Sequence, residues 1–191
     1  MKLFGTVPSP YTRRIRLYGA DIGADIAFDV IDIYDEKGRE TLQQKTPALK
    51  VPFLTDGDMS IYDSRVIYRY LAEKFDQPAM TWHQENTLTL IDAANDALVT
   101  LMMGKRSELD TNQDVMLFSF QHERLALLFQ QLEDKAKAGE FGHWDYSSIC
   151  LYCLLDWVLF RALLPLNKYP TLLAFVDKNK GQLGVSETDP R

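Results

Sequence analysis

The chain has 191 residues, 46% hydrophobic and 25% charged, a globular composition that excludes a disordered or collagen-like polymer. Twenty-one Lys plus Arg against 27 Asp plus Glu leave a formal net charge of −6, which disfavours nucleic-acid binding through a broadly basic face. Two cysteines cannot build a disulfide scaffold, and a chain of this length can bury a core without one.

In chain order, Lys2 to Val7 reads as a short strand ended by Pro8 and Pro10. Arg13 to Ile22 carries Ile15, Tyr18 and Ile22 at helical spacing, with Gly23 where a helix would stop. Ile26, Phe28 and Val30 step by two, as a strand does. Asp35 to Gln44 is polar with weak helical character. Val51 to Thr55 and Met59 to Tyr62 flank Asp56-Gly57-Asp58, a hairpin signal because Asp-Gly suits a two-residue turn. Asp63 to Phe75 sets Val66, Ile67, Tyr70 and Leu71 on one helical face, with Asp63 and Ser64 placed to cap it. The order β-α-β-α-β-β-α predicts a mixed sheet covered by helices, an α/β first domain over residues 1–76.

Residues 77–84, with Pro78, read as a linker, and 85–191 as an all-α domain. Thr87, Ile91, Ala94, Leu98 and Leu101 recur at helix spacing, as do Leu117, Phe120, Leu125, Leu128 and Leu132. Asp145 to Ala162 is apolar all round, the mark of a buried central helix. Pro170 suits the first position of a last helix, with Leu172, Leu173 and Val176 on its inner face. No stretch matches a signal peptide, and Ile149 to Leu155 is far shorter than the ~20 residues of a spanning helix. We therefore expect a soluble, cytoplasmic protein without membrane or nucleic-acid partners.

Three short motifs could carry chemistry. In Pro8-Ser9-Pro10-Tyr11-Thr12, followed by Arg14-Ile15-Arg16, a hydroxyl lies where the first strand hands over to the first helix. Helix-terminal amides there favour an anion beside Ser9 or Thr12, and the same residues serve equally as helix caps. In Lys50-Val51-Pro52 a proline opens a strand. A cis bond would turn the Val51 N–H and C=O toward an extended peptide, although X-Pro bonds are trans in most cases. In Asp63-Ser64 the hydroxyl and amide suit a carboxylate and the acid suits an ammonium group, and the pair also reads as an ordinary N-cap.

Together, Ser9-Pro10-Tyr11 with Arg14-Ile15-Arg16, Lys50-Val51-Pro52, Asp63-Ser64 and Tyr70-Leu71 resemble the serine-type glutathione S-transferases. The resemblance covers the N-terminal half closely and the helical half in outline. It implies a thioredoxin-like domain, an all-helical domain, a homodimer and glutathione as co-substrate. It further implies detoxifying conjugation of the glutathione thiolate to a small hydrophobic electrophile. By the same resemblance Ser9 would stabilise the thiolate, and Val51 beside cis-Pro52 would pair with the cysteinyl portion. Asp63 and Ser64 would hold the γ-glutamyl group, and Lys50 would reach the far carboxylate. Tyr11, Met102, Met103 and Arg106 would face the electrophile.

One departure concerns the central helix. The family opens it with Ser or Thr and an Asp three residues on, whereas here Asp145-Tyr146-Ser147-Ser148 exchanges acid and hydroxyl. A non-catalytic regulatory protein resembling the stringent starvation proteins is the alternative, since one fold hosts several functions. A glutathione-dependent lyase or isomerase is a third. Cys150 and Cys153 lie inside an apolar helix rather than at a helix start and read as core thiols. His83, His122 and His143 lack metal spacing, so no metal is expected.

Overall fold

A computed structural model describes all 191 residues. Its first elements are β1 (Lys2–Gly5), α1 (Pro10–Asp21), β2 (Ala27–Val30), α2 (Glu36–Lys45), β3 (Phe53–Asp56), β4 (Met59–Tyr62) and α3 (Ser64–Lys74). The helices α4 (Trp82–Arg106), α5 (Met116–Lys137), α6 (Tyr146–Arg161) and α7 (Pro170–Asn179) follow, with a 3-10 turn at Leu166–Lys168. No helix is long and apolar enough to cross a membrane. The chain divides into two compact units, Met1–Ala79 together with Lys180–Arg191, and Met80–Asn179.

The first unit is the expected mixed sheet, in the order β2-β1-β3-β4, with β1 parallel to β2 and antiparallel to β3. One row of the register runs Phe4–Phe53–Tyr62 across three strands. Side chains alternate between the two faces of a strand. Phe4 and Phe53 stack at 4.6 Å and cluster with Ile31 and Leu42, the latter from α2. Leu3 and Leu54 take the opposite face, and with Ile15, Ile67 and Leu71 of α1 and α3 they are fully buried. Each such side chain stabilises the fold by about 1.5–3 kcal/mol.

Local chemistry moves several boundaries. Helix α1 begins at Pro10 rather than Arg13, because a proline fits the first turn, where no intrahelical partner awaits its missing N–H. The Asp56↔Met59 pair closes the hairpin on Gly57-Asp58, with Gly57 at φ +57°. Lys74 and Tyr70 of α3 both donate to the Asp56 carboxylate and tie that turn to the helix. Helix α4 starts inside the expected linker, at Trp82, because Thr81 and Gln84 form a capping box.

The close fit of α1 to β1 rests on a missing side chain. A Cβ on Gly5 would overlap the Thr12 side chain, coming within 3.0 Å even of the Thr12 Cβ. Thr12 is fully buried and branched at Cβ, so it has nowhere to go.

The last twelve residues do not remain with the helices, as the sequence alone suggests, but pack in the first unit. Arg13 explains why. It is 3% exposed, and its guanidinium donates to Thr188 Oγ1 and to the Val185 carbonyl, both at 3.1 Å. Arg16 donates to the Glu187 carbonyl at 3.2 Å. These bonds tie Arg13 and Arg16 of α1 to the C-terminal segment.

In the second unit α6 is the buried centre, with every residue from Ile149 to Leu155 at most 2% exposed. The exchanged capping pair works: Asp145 Oδ1 accepts from Ser148 N at 2.9 Å, and Oδ2 accepts from Gln84 Nε2 at 3.0 Å. The Ser148 hydroxyl donates to the His143 carbonyl instead of reaching back to the cap. Helix α7 is capped from another helix. The buried Glu133 carboxylate of α5 accepts from Thr171 N at 3.2 Å and Leu172 N at 3.0 Å, and Lys137 lies 3.3 Å away. Burial pushes this carboxyl up, but the hydrogen bonds from Thr171, Leu172 and Lys137 outweigh it and hold its pKa below the usual value.

Two outcomes are expected. Gly5→Ala should destabilise the protein by about 1–3 kcal/mol through overpacking, read as a lower thermal midpoint. Glu133→Gln should cost about 1–2 kcal/mol in denaturant titrations at neutral pH. A depressed carboxyl contributes stability above the ordinary carboxylate range and loses it as pH falls through its folded value. The difference between wild type and Glu133→Gln should therefore shrink in acid.

Candidate functional site

The register decides which of the sequence motifs meet. Strand β4 runs antiparallel to β3 and therefore parallel to β1. The C-terminal end of β1, the start of β3 and the C-terminal end of β4 thus lie at the same end of the sheet, joined by the Phe4–Phe53–Tyr62 row. Ser9 follows β1, Val51 and Pro52 precede β3, and Asp63 and Ser64 follow β4. All three motifs emerge there, on neighbouring strands. In open α/β sheets ligands favour that end.

Ser9 is the N-cap of α1, with φ −78° and ψ 122°. Its Oγ accepts from the Thr12 amide at 3.2 Å, and its carbonyl accepts from Arg13 N at 3.0 Å. A hydroxyl that accepts with one lone pair still has its own O–H to donate. Ser9 is half-buried, whereas Thr12 is sealed against Gly5, so of the two hydroxyls only Ser9 is open to a ligand. Tyr11 is half-buried, and the Arg14 guanidinium sits over its ring at 4.9 Å. That stacking holds the ring plane.

The Val51–Pro52 peptide bond is cis. Ladder pairing of β3 begins only at Phe53, which leaves the Val51 N–H and C=O outside the sheet register. Pro52 is buried, Val51 packs half-buried against the Phe53 cluster, and Lys50 is exposed.

Asp63 caps α3, with Oδ1 accepting from Arg65 N at 2.8 Å and Val66 N at 3.4 Å. The capping role is therefore present, yet it occupies one carboxylate oxygen and leaves Oδ2 for a cation. Asp63 also has φ +76°, a conformation that L side chains rarely adopt and that clusters at functional sites. Ser64 is 4% exposed at the first turn of the same helix.

Met102, Met103 and Arg106 lie on the last turns of α4, in the second unit, with Met102 half-buried and the other two exposed. Cys150 and Cys153 are buried free thiols within α6. No group of three or more His, Cys, Asp or Glu side chains is placed to hold a metal ion. Sequence reasoning missed Gly5, which leaves room for Thr12 against β1, and Arg13, whose guanidinium holds the C-terminal segment. The available signal for Arg13 was its i, i+4 relation to Leu17 on an otherwise apolar stripe.

Residues 3–79 match the family model described as glutathione S-transferase, N-terminal domain. The chain is 34% identical over 76 residues to glutathione S-transferase F6 of Arabidopsis thaliana, covering 39% of this chain and 36% of that protein. It is 31% identical over 80 residues to a stringent starvation protein A homolog of Histophilus somni, covering 42% and 37%. These matches span little more than a third of either relative. Along its whole length the chain shares the fold of a glutathione S-transferase from Methylobacillus flagellatus solved with glutathione (TM-score 0.86, 22% identity, 100% of this chain and 99% of that one). A Pseudomonas fluorescens Pf-5 glutathione transferase family member with bound glutathione gives 0.84 at 22% identity, covering 100% and 98%. Residues 3–79 are thus a glutathione S-transferase N-terminal domain, and the chain along its whole length has the glutathione S-transferase fold.

Proposed function

We propose that the protein is a serine-type glutathione transferase that joins the glutathione sulfur to a small hydrophobic electrophile. The observation that carries this reading is the single sheet end at which Ser9, Val51 and Ser64 emerge. Glutathione in two solved proteins of the same fold supports it.

In the proposed reaction the thiol gives its proton to solvent, the thiolate forms a bond to the electrophilic carbon, and the leaving group departs with its electron pair. The nucleophile is the thiolate, and a free thiol has a pKa of about 8.5. Lowering that by about two units needs ~2.7 kcal/mol of preference for the anion. One hydrogen bond to a charged group supplies ~1.5–3 kcal/mol, which the Ser9 O–H can give while its oxygen accepts from Thr12. The α1 terminus adds up to about 1 kcal/mol.

The Val51 N–H and C=O would pair with the cysteinyl backbone in the manner of an added strand. Ser64 and Asp63 Oδ2 would take the γ-glutamyl carboxylate and ammonium, and Lys50 the remaining carboxylate. Tyr11, Met102, Met103 and Arg106 are the proposed electrophile contacts. A homodimer in the cytoplasm completes the proposal, and exposed Met59, Tyr62 and Val66 on β4 and α3 supply apolar surface for a partner copy.

The identity to a stringent starvation protein A homolog favours a second reading, a regulatory protein without turnover. Calorimetry separates the two. Glutathione should bind at millimolar concentration, and its failure to do so would favour the regulatory role. Ser9→Ala should lower turnover of an aromatic halide about ten-fold or more and move the rate profile toward the free-thiol pKa. A rate and profile equal to wild type would remove Ser9 from the mechanism. Light scattering should return twice the 22.0 kDa chain mass.

A further inference from the structure

A cavity of about 460 Å³ lies wholly within the first unit, between α1, β2 and the C-terminal segment 180–191, and none of Ser9, Val51, Pro52, Asp63 and Ser64 lines it. Ile15, Ala20, Ala24, Ile26, Phe28 and Leu183 give it apolar walls, which Arg16, Glu187 and Thr188 share. The volume falls in the range of about 300–1,000 Å³ typical of small-molecule pockets. At two lining glycines the walls approach closely. A Cβ on Gly19 would come within 3.0 Å of Ile26 Cδ1, and one on Gly184, at φ +80°, within 3.1 Å of the Ala20 Cβ.

The Gly19 end of the cavity lies away from Ser9. Gly19 is ten residues along α1, roughly 15 Å at 1.5 Å per residue. Ala24 and Ile26 precede the start of β2, which runs parallel to β1, so they mark the opposite end of the sheet from the glutathione motifs.

Two charged residues line this space, Arg16 and Glu187. Arg16 is half-buried, stacks over the Phe28 ring at 4.3 Å, and donates to the backbone carbonyl of Glu187. Its contacts are thus a ring and a neutral oxygen, and no carboxylate pairs with it. The Glu187 side chain is exposed. Burial, and then the neighbouring Arg13 charge, lower the Arg16 pKa, as expected of a cation short of negative partners. A stacked guanidinium presents its remaining N–H groups as a fork that matches a carboxylate.

We propose that this cavity binds an aliphatic monocarboxylate, with the carboxylate on Arg16 and the chain among Ala20, Ala24, Ile26 and Phe28. The site is separate from glutathione binding and does not depend on the proposed activity.

The test is an NMR titration of the full chain with octanoate in the presence of saturating glutathione. Saturable shifts are expected at the amides of Gly19, Ala20, Ala24 and Gly184, unchanged whether glutathione is present or absent. 1-Octanol, which has the chain without the charge, should bind about ten-fold more weakly or worse, as should octanoate to Arg16→Gln. If Arg16→Gln fails to fold, the octanol comparison on the native protein decides alone. The proposal is overturned by the absence of saturable shifts at millimolar octanoate. It is equally overturned by shifts confined to Ser9, Val51 and Ser64 that glutathione abolishes, or by octanol binding as tightly as octanoate.

Discussion

The contact of Gly5 with Thr12 governs how the site is built. Because β1 ends in a residue without a side chain, α1 can approach the sheet closely enough for Thr12 to be sealed beneath it. That approach sets the height of the helix N-terminus above the strand end, and with it the place of Ser9. Packed interiors do not absorb even one extra carbon without displacement. The end of the sheet where Ser9 emerges therefore depends on a glycine.

Capping and ligand binding are often weighed as rival explanations for a polar residue at a helix start. Here they combine. Ser9 accepts from Thr12 and keeps its proton to donate, and Asp63 spends one oxygen on α3 and keeps the other. The cap bonds freeze each side chain, so that the free half of each group points in a fixed direction at little further entropic cost. Elsewhere the same chemistry is purely structural. Asp145 closes α6 and holds Gln84, and Glu133 closes α7 from a different helix.

Buried charge explains the path of the C-terminal segment. Arg13 lies on the inner side of α1, where an unpaired guanidinium would be costly. Thr188 and Val185 supply its acceptors, more than 170 positions along the chain. Gly184 lets that segment lie flat on Ala20 and Leu17. A boundary drawn from composition places residues 180–191 with the helices, because nothing local shows that their carbonyls answer a cation in the first helix.

What the sequence determined by itself is local in origin. The order of strands and helices, the Asp-Gly hairpin, the buried α6 and the start of α7 at Pro170 follow from periodicity, turn chemistry and the fixed φ of proline, which neighbouring residues encode. Only the tertiary structure decided that Ser9 rather than Thr12 is reachable, that the linker is short, and that the last residues return to α1. It also brought positions 9, 51 and 64 to one end of the sheet. Those outcomes rest on strand register and on pairings between residues far apart in the chain, and no local pattern carries that information.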